Sequence, residues 1–134
     1  METAKGVLTM KIEFIDNEHE KTYYMFCEMF GDKLEEYRYT IAYLLALDGV
    51  CRVHYKDLFD FDECVIKPEG LNEPWQTGSS MKTTRLMFNL WNGYCGEPQE
   101  NQSNLYTPEE LFSCGYARYY LQAIKLRFPW YTEE

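Results

Sequence analysis

No apolar run in this sequence approaches the roughly 18 residues that span a bilayer, and residues 1–10 have no export-type apolar core. The chain therefore reads as soluble and intracellular. It has no internal repeat and no heptad run, so solenoids and coiled coils are not expected. A phosphate-cradling glycine loop is missing: Gly78 stands beside Ser79-Ser80 with no Lys in the required place, and nucleotide hydrolysis is improbable. With neither a nucleophile elbow nor a glycine-rich oxyanion loop, Ser79 and Ser80 read as helix caps rather than nucleophiles. The five cysteines, Cys27, Cys51, Cys64, Cys95 and Cys114, are an odd number and cannot pair fully. A chain without an export signal keeps its thiols reduced, which leaves them as core residues or metal ligands.

Basic residues are also scarce. The 134 residues carry 13 Lys/Arg against 22 Asp/Glu, a net charge of −9, while Phe, Trp and Tyr make up 17%. Disordered acidic tails are poor in aromatics, so this chain should fold and hold its negative charge on a rigid surface. Such a surface repels phosphate backbones and attracts basic proteins. Residues 1–70 contain 15 acidic and 8 basic side chains, net −7; residues 71–134 contain 7 and 5, net −2. The densest clusters are Glu13, Asp16, Glu18 and Glu20, then Asp57, Asp60, Asp62 and Glu63. Most such runs are solvated faces that keep a small protein soluble; the functional reading is a docking face for a basic partner.

Length and pattern predict one mostly α, compact domain of five or six helices over residues 10–134, behind a flexible leader at residues 1–9. Residues 10–15 alternate weakly and read as a short strand or an extended arm. Asp16 is a good N-cap for a first helix whose Tyr23, Phe26, Cys27 and Phe30 recur at helical spacing until Gly31. Leu34, Tyr37, Ile41, Leu44 and Leu45 form one stripe of a second helix over residues 33–48, with Gly49 as its C-terminal cap. Residues 50–59 read as a third, shorter helix and residues 64–74 as irregular. A fourth helix, capped by Ser79 or Ser80, should run to about Asn92 and stop at Gly93. Residues 93–106 form the longest loop, either disordered or partner-facing. Thr107-Pro108-Glu109-Glu110 is a capping-box start. Gly115 should break that helix, and the last should run over residues 116–127, inward through Tyr119, Tyr120, Ala123 and Ile124, until Pro129.

Cys51 and His54, three apart, with Cys64 beyond after nine intervening residues, are the best metal candidates, and a fourth ligand is open among Cys114, Cys95 and His19. Zinc suits this ligand set, in a structural role; a buried unliganded cysteine is the bland alternative. Asp16 and His19 permit a carboxylate-oriented imidazole, though a helix cap beside a surface histidine is the simpler reading. The run Asp57, Asp60, Asp62, Glu63 lacks the spacing and central Gly of a calcium loop, and stands as a solvated or partner-facing patch. Lys82, Arg85, Arg118, Lys125 and Arg127 lie in the less acidic half, but the overall field opposes nucleic acid.

Four stretches carry a resemblance: Phe-Ile-Asp-Asn-Glu-His-Glu at residues 14–20, Trp-Gln-Thr-Gly-Ser-Ser at 75–80, Arg-Leu-Met-Phe-Asn-Leu-Trp-Asn-Gly at 85–93, and Ala-Ile-Lys-Leu-Arg-Phe-Pro at 123–129. From about Met10 to Tyr131 the chain resembles a family of small proteins carried by phages and integrative elements of Gram-positive bacteria, for which the resemblance implies no enzyme activity. It also resembles the phage-encoded type II-A anti-CRISPR proteins, small inhibitors of Cas9, some of which hold a structural zinc. That second likeness implies a non-enzymatic binder of Cas9 in the cytoplasm of an infected host, excluding target DNA by steric and electrostatic means. An accessory module for another host factor and a zinc-dependent enzyme are the alternatives.

Overall fold

The computed structural model describes residues 10–133; the expected leader, residues 1–9, lies outside them. Seven helices occur among the described residues: α1 (Asn17–Phe30), α2 (Glu36–Leu47), α3 (Gly49–Val53), α4 (Gly78–Asn92), α5 (Pro108–Leu111), α6 (Ala117–Arg127) and α7 (Pro129–Thr132). One antiparallel ribbon, β1 (Phe59–Asp60) and β2 (Val65–Ile66), lies between α3 and α4, with Phe59 opposite Ile66. The mostly helical single domain is as expected. The additional helix is α7, because Pro129 does not simply end α6 but occupies the first position of a further turn.

The sequence suggested one apolar stripe on α2, yet residues 39–47 are all buried. A helix apolar on every side must be enclosed, and α1, α4 and α6 pack around it. Two hydroxyls within that run are satisfied: Thr40 donates to the Glu36 carbonyl, and Tyr43 donates to the Glu13 carbonyl at 2.6 Å. Residues 10–15 form the arm alternative. They run extended outside the ribbon, held where Glu13 N–H donates to Gln122 Oε1 and where Met10, Ile12 and Phe14 meet the core.

Several boundaries differ from the sequence pattern, each for a local reason. Gly49 does not cap α2: Asp48 closes α2 and at once caps α3, accepting from Val50 N–H and Cys51 N–H at 2.9 and 3.0 Å. The expected third helix over residues 50–59 stops at Val53 and continues as a 3-10 turn and then β1. Thr77, rather than Ser79 or Ser80, caps α4, and Ser80 supplies the return bond of the capping box. Gly93 ends α4 in the left-handed conformation at φ 80°, as expected. Residues 93–106 are ordered by two 3-10 turns, with Tyr106 buried, so the disordered reading fails.

His19, read as a surface group or as one supporting a metal ligand, is fully buried at the start of α1. Its Nδ1 accepts from Ile15 N–H at 3.1 Å, so Nε2 carries the proton and donates to the Tyr43 carbonyl at 2.9 Å. Phe14 and Tyr43 pack edge-on against the ring. Burial outweighs the Tyr43 carbonyl and pulls the imidazole pKa down to about 4. The unfolded chain takes up a proton near pH 6.5 and the native state does not, so this contribution is whole above that pH and is lost as pH falls toward 4. Between pH 7 and pH 5 the loss is about 2 kcal/mol. Urea unfolding across this range should show it, and His19→Gln should flatten the dependence while lowering stability at pH 7.

Candidate functional site

The buried carboxylate of Asp48 is the hinge on which the remaining polar residues are arranged. Its Oδ1 holds the first turn of α3, while Oδ2 accepts from the Tyr116 hydroxyl at 2.9 Å and from Ser79 Oγ at 3.5 Å. One side chain thus fastens the α2–α3 junction to α4 and to the entry of α6. Tyr116 feels burial first and the Asp48 charge second, and both push its phenol well above the usual range, so it remains a donor.

Beside this carboxylate, every residue of the Trp-Gln-Thr-Gly stretch has a structural task. Trp75 stacks on His54 with ring centroids 4.4 Å apart and planes 6° apart, and its Nε1 donates to Asp57 Oδ2 at 3.0 Å. Gln76 accepts from Ser80 Oγ at 2.6 Å and donates to the Gly70 carbonyl and Thr84 Oγ1. Thr77 caps α4, and Gly78 opens it. Gly70 is fixed by space, since a Cβ there would collide with the Asp57 carbonyl oxygen and the Leu58 side chain. The other three stretches behave alike: Asp16 caps α1, Trp91 packs edge-on against Phe59, and the Arg127 guanidinium lies 3.6 Å from the centre of the Tyr37 ring.

The metal candidates are not gathered. Cys51 is buried with its Sγ 3.6 Å from both the Ser80 carbonyl and Thr84 Oγ1, and burial pushes its thiol well above the ordinary value. His54 faces Trp75, and its Nδ1 is 3.9 Å from Asp57. Cys64 Sγ turns to the Phe61 carbonyl and Cys114 Sγ to the Leu111 carbonyl. Cys95 is exposed, and both ring nitrogens of His19 are engaged by backbone. Among the described residues no three His, Cys, Asp or Glu side chains come together as a metal-holding group. The spacing that suggested Cys51 and His54 assumed an unbroken helix, and α3 ends between them at Val53.

Asp16 and His19 do not form the acid–base pair either, because Asp16 bonds the backbone N–H of His19 rather than its ring. Neither Ser79 nor Ser80 has a histidine among its hydrogen-bond partners. The acidic run divides in two. Asp57 is engaged by Trp75, and Asp60 Oδ1 accepts from Asp62 N–H and Glu63 N–H, both at 2.9 Å, closing the ribbon turn. Asp62 and Glu63 are exposed at that turn. Of the basic residues, Arg118 pairs with Glu13 at 2.7 Å, whereas Lys82 and Arg85 line a cleft of about 390 Å³ at the start of α4. The buried hydrogen-bond network was invisible from spacing; the Ser/Thr/Gln density at residues 76–84 was its one signal.

These features define a small, acidic, mostly helical domain whose buried polar groups serve the fold and whose free carboxylates face water. Residues 9–134 match the family of unknown function DUF6075, and the chain belongs to that family. No curated protein and no solved structure matches the chain. No helix among the described residues is long and apolar enough to cross a membrane.

Two measurements check this arrangement. Asp48→Ala removes a double cap and a buried acceptor and should cost about 3 kcal/mol in urea unfolding, whereas Asp48→Asn, which keeps the Oδ1 acceptor, should cost less than half of that. Thermal melting of protein prepared without a polyhistidine tag, with and without chelator, tests zinc directly: a lower melting temperature on chelation is what a held ion produces, and unchanged melting would end the idea.

Proposed function

We propose that this protein is a non-enzymatic inhibitor that sets fixed carboxylates against a cationic surface of a nucleic-acid-handling protein, most concretely a type II-A Cas9 in the cytoplasm of a phage-infected cell. The Cas9 reading rests on the resemblance of the four stretches quoted above. The observation that favours a docking role is the turn at residues 61–64, where Asp62 and Glu63 project at the tip of a ribbon while Asp60 holds their backbone in place. Carboxylates fixed by a folded turn lose little conformational freedom when a receptor approaches, which strengthens binding relative to the same charges on a mobile tail. The guide and target channels of a Cas9 are positively charged because they hold nucleic acid, and an acidic body of 16.0 kDa can occupy such a surface by charge and bulk. Steering by exposed charges acts on the association rate and weakens with salt.

The test is a target-cleavage assay with purified Cas9, the protein being added before or after guide RNA. Stoichiometric, salt-sensitive inhibition is expected. Joint replacement Asp62→Lys and Glu63→Lys leaves the Asp57 and Asp60 bonds intact and should raise the inhibitory concentration roughly tenfold at low salt. Unchanged inhibition by the double variant would remove this turn from the mechanism, and absence of inhibition by the parent protein would remove Cas9 as the partner.

A further inference from the structure

The arm, α1 and the start of α2 enclose a cleft of about 340 Å³ that shares no lining residue with the acidic turn. Phe14 reaches it from the arm, Tyr23 and Tyr24 from α1 and Tyr39 from α2, and most of the remaining lining is aliphatic or sulfur-bearing. The rings pack against one another, Phe14 to Tyr23 at 5.3 Å and Tyr23 edge-on to Tyr24 at 5.1 Å between centroids. Tyr23 is sealed at 1% exposure, whereas Tyr24, at 53%, offers its ring to a ligand. Glu20 is the one charged side chain in this lining among the described residues, and it forms no ion pair there.

Volume, wall chemistry and charge together select a class of ligand. A space of this size with aromatic walls and one polar group has the make-up of a small-molecule site. Aromatic faces are electron-rich and attract cations, and an unpaired carboxylate beside apolar walls gains most from a positive partner. Among the described residues no basic group in the lining could hold an anion, and the net charge of −9 disfavours one further. Cys27, also in the lining, has its thiol pushed by burial up to about 12, so it stays neutral and adds neither a second charge nor a nucleophile. We propose that this cleft binds a small organic cation of the alkylammonium class, its apolar groups against Phe14, Tyr24 and Tyr39 and its charge facing Glu20.

The probes are choline and its uncharged carbon isostere dimethylbutanol, titrated against the full chain by NMR, following the Met10 methyl and the tyrosine ring signals. Choline should shift these signals and bind roughly tenfold more tightly than the isostere. Glu20→Gln and Tyr24→Leu change exposed side chains and should leave the protein folded, as thermal melting will check. Each should weaken choline binding, Glu20→Gln by roughly tenfold and Tyr24→Leu by a few-fold, with little effect on the isostere. Equal affinity for the two probes, choline binding unchanged in Glu20→Gln, or failure of both probes to move the cleft signals would each overturn the proposal.

Discussion

Everything in this fold answers to one requirement, that α2 must not meet water. Residues 39–47 include Tyr, Ile, Leu and Ala on every side of the cylinder, and none is more than 7% exposed. Such a segment has no amphipathic solution of its own, so its burial waits on α1, α4 and α6 arriving together. Polar groups buried along it then need partners within the protein, and two places show how. Within the helix, Tyr43 reaches the arm through the Glu13 carbonyl while His19 closes the Tyr43 carbonyl. At its C-terminal end, Asp48 meets the N–H groups of α3. The arm and the α2–α3 junction are thus consequences of enclosing an apolar helix.

That requirement also explains why the stretches carrying the family resemblance are poor guides to chemistry. Asp16, Trp75, Gln76, Thr77, Trp91 and Arg127 are each occupied by a cap, a stack or a hydrogen bond that joins one element to another. A side chain already engaged in fastening the core has little freedom to serve a ligand. What remains open to a ligand is peripheral, including the carboxylates of Asp62 and Glu63 and the Glu20 cleft. These stretches report a way of folding, and function has to be sought in surfaces that they leave open.

Features governed by neighbouring residues were legible in the sequence; those governed by distant packing were not. Asp16, Gly31, Gly93 and Thr107 mark helix ends through bonds reaching no more than four residues, so their chemistry suffices to place them. Gly49 misled because the residue before it, Asp48, caps a new helix where a left-handed stop was expected. His19 looked exposed among Glu18 and Glu20, and the arm folding back over α1 buries it against Tyr43 of α2. The ribbon at residues 59–66 is too short for a period-two pattern, and its aromatics join Phe26 and Phe30 across a long sequence separation. The split of the acidic run into two structural and two free carboxylates depends on Trp75, eighteen residues from Asp57, and on the turn closed by Asp60.

The charge distribution places fold and partner binding in opposition. Only Glu35 with Arg38 and Glu13 with Arg118 pair a carboxylate with an arginine or lysine among the described residues, so most carboxylates there face water without a counter-charge. Such a surface repels itself, and folding brings like charges closer than the extended chain held them. Added salt screens that repulsion and should favour the compact state, yet the same screening weakens attraction to a cationic receptor. A protein whose acids served solubility alone would show the first response without the second. The two responses to ionic strength therefore distinguish a solvated face from a docking face, wherever on the surface the receptor binds.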